Sequence, residues 1–306
     1  MLEHGVVTAT DLAEAIVRLR AAGCVFAEDE AAVLGGVATD AAQLSGLVDR
    51  RARGEPLEQV VGFADFCGVR VRLRPGVFVP RIRSELLVHT ASTELRTAPT
   101  DRLPEKEGPL PEKETVDPTG ERATDLTAER TAGPLTGGRT VVDLCCGSGA
   151  LGLAVRHKVP AIRLFAADSD PVAVACALDN LGRDVFQGDL FAALPEALRG
   201  HIDVLLANVP YVATEHIALL PAEARLHEPR TALDGGADGL DVFRAVVAGA
   251  ADWLAPGGLL LSEITEAQAE AAVAAVRDAG MRAGIVEDED LDARAVTARR
   301  PEHPKR

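Results

Sequence analysis

Two short stretches of this 306-residue chain bring together residue types that can do chemistry at the end of a strand. The first is Val141-Val142-Asp143-Leu144-Cys145-Cys146-Gly147-Ser148-Gly149-Ala150-Leu151-Gly152. A β-branched apolar run enters a turn of small residues and leaves into an Ala/Leu-rich helical segment, the layout of a nucleotide-type site. Gly147 and Gly149 permit a tight strand-to-helix turn, and they let backbone approach a ligand where a Cβ would clash. The turn has neither a P-loop Lys nor the full dinucleotide glycine pattern, which argues against a phosphate cradle. Asp168 ends the run Ile162–Ala167, about 20 residues on, where a carboxylate can accept both ribose hydroxyls of a nucleoside. Asp189, with Leu190 beside it, follows the next strand-like run and is placed to reach an adenine edge. With no phosphate to hold, the pattern suits S-adenosylmethionine better than NAD. The candidate cofactor residues are therefore Asp143, Cys145, Cys146, Gly147, Ser148, Gly149, Asp168, Asp189 and Leu190, joined by Asn208 from the second stretch.

That second stretch is Ile202–Ala207 running into Asn208-Val209-Pro210-Tyr211. The Asn208 side-chain oxygen and the Val209 carbonyl can both accept hydrogen bonds from one –NH2 group. Two acceptors turn the nitrogen lone pair toward an electrophile, and Tyr211 can cover the planar group that carries the nitrogen. Pro210 restricts Val209 to extended geometry, which keeps that carbonyl fixed. These four residues are the candidate catalytic set.

The elements that must position both stretches can be read from periodicity. After Thr140 strands and helices alternate, with strands near 140–144, 162–167, 184–186, 202–207, 258–264, 281–287 and 293–298. Helices fall near 150–157, 171–181, 240–254 and 266–279. Such alternation predicts an α/β fold with a doubly wound, mostly parallel seven-stranded sheet, ligands at the strands' carboxyl ends, and a final hairpin with one antiparallel strand. Residues 1–55 read as a small helical domain with helices near 11–22, 28–34 and 40–53. Within 56–96, the stretch Gly54–Gly62, the alternation Val69–Leu73 and the run Pro75–Arg81 read as a β-hairpin leading into a loop. A helix follows from about Ser84 to Leu95, with Ser84 as its cap. Residues 97–138 turn rich in Pro, Glu, Thr, Lys and Gly, and Leu103-Pro104-Glu105-Lys106-Glu107 recurs as Leu110-Pro111-Glu112-Lys113-Glu114, so a disordered insert is expected. The catalytic domain spans 139–300 and a basic tail 301–306.

Composition narrows the partners. The formal charge is −15, with hydrophobic residues at 47% and aromatics at 3%. An acidic chain without a basic groove is a poor binder of polyanions, so stable nucleic-acid binding is not expected. The five cysteines include no CxxC pair and no histidine has metal-ligand spacing, so the reading is reduced thiols and no metal. With no signal peptide or membrane-length apolar run, a cytoplasmic protein without membrane contact is expected. Trp253 reads as core.

The two stretches together resemble a family, the protein glutamine methyltransferases, whose best-known members methylate the glutamine side-chain amide in the Gly-Gly-Gln loop of peptide-chain release factors. Their signature Asn-Pro-Pro-Tyr corresponds to Asn208-Val209-Pro210-Tyr211. The resemblance continues through Glu228-Pro229-Arg230 to Gly239-Leu240-Asp241, then Leu254–Gly258, Glu263-Ile264 and Gln268, and it includes Gly54–Gly62 and the loop before Ser84. The Glu228–Asp241 block separates this family from generic adenine-amine methyltransferases, which share the tetrapeptide. The resemblance implies the class I S-adenosylmethionine-dependent methyltransferase fold, Rossmann-like, with a small N-terminal helical domain. It also implies S-adenosylmethionine as cofactor and a protein substrate presenting a glutamine, a release factor among them. The rival readings are methylation of a nucleic-acid or small-molecule amino group and a non-catalytic cofactor-binding scaffold. Two departures stand out: Pro80-Arg81-Ile82-Arg83-Ser84-Glu85 replaces the usual Pro-Arg-Pro-Glu-Thr-Glu, and Val209 replaces a proline. They point to a divergent paralogue of the release-factor enzyme.

Overall fold

The computed structural model describes residues 6–97 and 138–302, so most of the expected insert, part of the basic tail and the first five residues lie outside the described residues. The chain opens with α1 (Ala9–Ala21), α2 (Ala27–Val37), α3 (Ala41–Ala52) and the short α4 (Leu57–Val61). Thr8 caps α1 in a capping box with Asp11, and Asp40 caps α3 through the Gln43 amide. Their apolar faces meet in a separate cluster of Leu19, Leu34, Leu44, Val48 and Val60.

The hairpin has the alternation at Val69–Leu73 as its second strand and the residues just before it as its first. It consists of β1 (Phe63–Phe66) and β2 (Val69–Arg72), paired Phe63 to Arg72 and Phe66 to Val69. The turn residues Cys67 and Gly68 both have positive φ, 50° and 81°, as a tight two-residue hairpin loop demands. The Gly54–Gly62 stretch supplies α4, which Gly62 ends in a left-handed conformation at φ 82°. After a 3-10 turn at Ile82–Ser84 comes α5 (Glu85–Thr97). Ser84 lies inside that turn and does not cap α5; its hydroxyl is committed to Glu263, as described below.

The remainder alternates as β3 (Arg139–Leu144), α6 (Ala150–Lys158), β4 (Ile162–Asp168), α7 (Pro171–Leu181), β5 (Val185–Gln187), β6 (Ile202–Ala207), α8 (Ala222–His227), α9 (Asp241–Trp253), β7 (Leu254–Glu263), α10 (Ala269–Asp278), β8 (Arg282–Asp288) and β9 (Ala293–Arg299). The sheet order is β5-β4-β3-β6-β7-β9-β8. Neighbours from β5 to β7 are parallel, and β9 runs antiparallel to both β7 and β8. Each face of the sheet is covered by helices, so the central strands are apolar on both sides. Val141, Val204 and Leu206 belong to one core, with α5 and α6; Val142, Leu205 and Ala207 belong to the other, with α9 and α10. Trp253 is in this second core, stacked on Phe191 at 5.5 Å.

The order reverses between β3 and β6, the first strands of the two halves of the sheet. A crevice opens at such a switch point, beyond the carboxyl ends of the strands. Leu144 pairs with Ala207 across that junction. The glycine turn and the Asn208 stretch therefore leave the sheet side by side.

Candidate active site

The turn after β3 is held by hydrogen bonds from its own flanks. Cys145, Gly147 and Gly149 all have positive φ, at 56°, 55° and 76°. The Cys146 amide donates to the Ala167 carbonyl at 3.1 Å, and Gly149 donates to Cys146 at 2.7 Å. Asp168 accepts from the Gly147 amide at 2.8 Å and, on its other oxygen, from Asp170 at 2.9 Å. Its carboxylate thus shapes the turn while facing a cavity that Gly147 also lines. A Cβ on Gly147 would meet nothing within 4 Å, whereas one on Gly149 would stand 2.9 Å from Leu181 Cδ1. Gly147 leaves open space; Gly149 answers to packing against α7 and does not line the cavity.

Asp143, expected at the cofactor, lies beneath the turn and away from the cavity wall. It is 1% exposed and accepts from the Gly152 amide at 2.9 Å, while its second oxygen has no partner among the described residues. Burial pushes its carboxyl up to about 7. Burial likewise pushes the Cys145 thiol up to about 12 and raises the Cys146 thiol well above its ordinary range, so both turn cysteines carry thiols at neutral pH. Asn180 of α7 was missed from sequence. Its amide donates to the Ser148 and Arg72 carbonyls at 2.9 Å and accepts from the Arg72 amide, tying the turn to the β1–β2 hairpin.

The cavity has a volume of about 890 Å³. Cys145, Cys146, Gly147, Ser148, Asp168, Asp189 and Leu190 line one side, and Asn208, Val209, Pro210 and Tyr211 line another. At the end of β6, Ser262 fixes the Ala207 carbonyl by a 2.7 Å hydrogen bond from β7. Asn208 donates through Nδ2 to the Ser84 hydroxyl at 3.1 Å, and its buried Oδ1 has no partner among the described residues. The Ser84 hydroxyl donates to Glu263 at 2.7 Å, and the Tyr211 hydroxyl donates to the other oxygen of Glu263, also at 2.7 Å. Burial and the Glu263 carboxylate raise the Tyr211 phenol above its ordinary range, so the tyrosine stays a donor.

The Glu228–Asp241 block wraps this stretch. Val212 donates to the Leu233 carbonyl and accepts from Gly235, and Gln268 donates to the Tyr211 carbonyl at 2.8 Å. Gly239, at φ 77°, approaches so closely that a Cβ there would fall 2.2 Å from the Tyr211 carbonyl oxygen. Glu228 accepts from the Val79 amide at 3.3 Å and from Arg81 at 2.6 Å. Two stretches far apart in sequence, the Pro80-Arg81 loop and the Glu228 block, thus close one wall of the cavity. Burial raises the Glu228 carboxyl, opposed by Arg81.

Sequence spacing gave no hint of one further trio. Cys67, Glu85 and His89 bring potential ligand atoms within 4.8 Å of one another, and none of the three lines the cavity. The Cys67 thiol is pushed up to about 12 by burial and by Glu85. Among the described residues no helix is long and apolar enough to cross a membrane.

Comparison with known proteins adds to this geometry. Residues 122–238 match the family model described as "Methyltransferase small domain". The chain is 32% identical over 230 residues to the release factor glutamine methyltransferase of Geobacter sulfurreducens, covering 74% of this chain and 66% of that one. It is 32% identical to the protein of that name from Moorella thermoacetica, over 80% of this chain and 72% of that one. With its counterpart in Cereibacter sphaeroides it shares 33% identity over 85% of this chain and 80% of that one. With the methyltransferase domain match, the seven-stranded sheet and its single antiparallel strand are the class I methyltransferase fold expected from the sequence.

Proposed function

The chain belongs to the release factor glutamine methyltransferase family, and from that premise we propose that it transfers a methyl group from S-adenosylmethionine to the side-chain amide nitrogen of a glutamine in a protein. A peptide-chain release factor is the first candidate substrate. The observation that carries this reading is one continuous cavity with the Gly147–Asp168 turn on one side and the unpartnered Asn208 Oδ1 on the other.

The residues present fit the cofactor. Gly147 leaves room where a side chain would intrude, and Asp168 retains lone pairs beyond its two backbone hydrogen bonds. Those lone pairs suit ribose hydroxyls, and Asp189 and Leu190 stand on the same wall for the base. Carboxylates at Asp168, Asp170, Asp189 and Glu228 surround the space, which favours a cationic ligand. When bound, S-adenosylmethionine supplies an electrophilic methyl group on a sulfonium centre.

An amide nitrogen is a poor nucleophile because its lone pair is delocalised into the carbonyl. Asn208 Oδ1 and the Val209 carbonyl would accept both of its hydrogens and hold the lone pair toward the methyl group. Alignment of this kind lowers the barrier by converting a bimolecular encounter into a positioned one. Tyr211, anchored through Glu263, would cover the flat face of the substrate amide. Once methylated, the nitrogen is positively charged and its proton leaves without a strong base. The valine at position 209 keeps the backbone acceptor, since any residue supplies a carbonyl.

Asn208→Ala tests the assignment. Removing one preorganised group of this kind costs about a hundredfold or more in turnover. Cofactor affinity, measured by calorimetry, should change little, because the lost contact is made to the substrate nitrogen. The assay uses a recombinant bacterial release factor, labelled S-adenosylmethionine and peptide mapping of the modified residue. Wild-type turnover by Asn208→Ala, or a label found on nucleic acid, would refute the reading.

A further inference from the structure

The polar groups behind Asn208 form a chain whose hydrogen-bond direction is set from one end. Glu263, the last residue of β7, is 4% exposed. Its Oε1 is ion-paired with Arg83 Nε at 2.7 Å and accepts from the Tyr211 hydroxyl at 2.7 Å, and its Oε2 accepts from the Ser84 hydroxyl at 2.7 Å. An ionised carboxylate only accepts. The single proton of the Ser84 hydroxyl is thereby committed to Glu263, and the Ser84 oxygen is left with acceptor capacity alone. Asn208 meets that oxygen at 3.1 Å. Only the –NH2 end of its amide can make the contact, so the carbonyl end points away, as the unpartnered Oδ1 does.

The two orientations of an asparagine amide have nearly the same shape, and hydrogen-bond partners decide between them. The orientations have opposite chemistry here. One offers the cavity an acceptor for a substrate –NH2 group; the other offers a donor, which would repel it. We propose that Ser84 and Glu263 are positioning residues that fix the polarity of the Asn208 amide, so that its carbonyl oxygen faces the substrate nitrogen. The proposal rests on the reading of Asn208 as the acceptor for a glutamine amide. Arg83 and Tyr211 serve the same end indirectly. By occupying Oε1 they leave Oε2 facing Ser84, and Arg83 sets a positive charge beside the buried carboxylate.

Glu263→Gln is the informative change, because it preserves shape and reverses one polarity. Arg83 and Tyr211 both donate, so they hold the glutamine carbonyl and direct its –NH2 at Ser84. The Ser84 proton is then free to turn toward Asn208, which lets the amide flip and present its –NH2 to the cavity. In full-length protein acting on a recombinant release factor with its Gly-Gly-Gln loop, kcat should fall about tenfold to a hundredfold. KM and cofactor affinity should stay within about twofold, the pattern of a loss confined to the transition state. Ser84→Ala should lose a similar factor, Ser84→Thr should recover most of it, and Ser84→Ala with Glu263→Gln should be little worse than Ser84→Ala alone, since both changes break one link.

A second measurement does not depend on turnover. With 15N-asparagine labelling, the Asn208 side-chain resonance is assigned by its loss in Asn208→Ala. Its Nδ2 protons should exchange with solvent slowly in the wild type and about tenfold faster or more in Glu263→Gln, where they face the cavity. Unchanged exchange in Glu263→Gln would overturn the proposal even in an enzyme that methylates glutamine. So would an unchanged kcat, or losses that simply multiply in the double variant. Slow wild-type exchange that Glu263→Gln accelerates, in a protein with no glutamine methylation, would uphold the polarity chain and overturn only the reaction it serves.

Discussion

Asp143 is where pH should act most directly on this fold. The carboxyl is 1% exposed, one oxygen accepts from the Gly152 amide and the other has no partner among the described residues. Burial outweighs the Gly152 hydrogen bond, with Asp168 adding like charge, and pushes the group from 3.8 up to about 7. Between those two values the folded state keeps a proton that the unfolded chain has released, so stability falls as pH rises through the window. A rise of about three units at about 1.4 kcal/mol each makes the loss at most about 4 kcal/mol. Asp143→Asn removes the titration and keeps an acceptor for Gly152. The difference in unfolding free energy between variant and wild type, from urea denaturation at a series of pH values, should be small near about pH 4 and should grow in favour of the variant up to about pH 7. A difference curve that is flat, or that turns against the variant as pH rises, would refute the reasoning. The same protein shows whether Asp143 touches the cofactor. Unchanged S-adenosylmethionine affinity in Asp143→Asn is the outcome expected from its place beneath the turn.

Asp168→Ala should weaken S-adenosylmethionine by about 1.5–3 kcal/mol, roughly ten- to a hundredfold, through loss of charge-assisted hydrogen bonds, and calorimetric titration measures it directly. Because Asp168 also accepts from the Gly147 and Asp170 amides, the melting temperature should fall as well. Gly149→Val forces a branched residue into φ 76° and drives its Cβ to 2.9 Å from Leu181, so it should destabilise the fold by about 1–3 kcal/mol in thermal or urea unfolding. A Gly149→Val protein of wild-type stability would contradict the packing assigned to that glycine.

Elements with local signals were legible almost to the residue. Helix α7 begins where Asp170 accepts from the Val172 amide with Pro171 in the first turn, and it ends at Gly182. Strand β6 was legible because Ile202–Ala207, apolar but for Asp203 near its start, is too short for a buried helix and fits a buried strand in an alternating chain. The second strand of the hairpin was legible in the alternation at Val69–Leu73, but its turn was not, because Cys67 takes a positive φ that no residue preference announces for cysteine. Helix α4 was missed because five residues carry no measurable periodicity.

The candidate site divides the same way. Residues that contact the cavity come in contiguous motifs, and a motif is visible because its residues are neighbours in sequence. Residues that orient those contacts come from elsewhere. Ser84 reaches Glu263 across 179 positions and Asn208 across 124, and Asn180 reaches Arg72 across 108. A single sequence carries no record of which distant hydroxyl will share a proton with which carboxylate, so Ser84 reads as a helix cap and Glu263 as one more residue near the end of a strand. Yet the direction of those hydrogen bonds decides whether Asn208 accepts or donates. In this fold the identity of the reacting contacts is a local property of the chain, and their polarity is a tertiary one. Substitutions at Ser84 or Glu263 should therefore be able to silence the site while leaving the Gly147 turn and the Asn208 stretch intact.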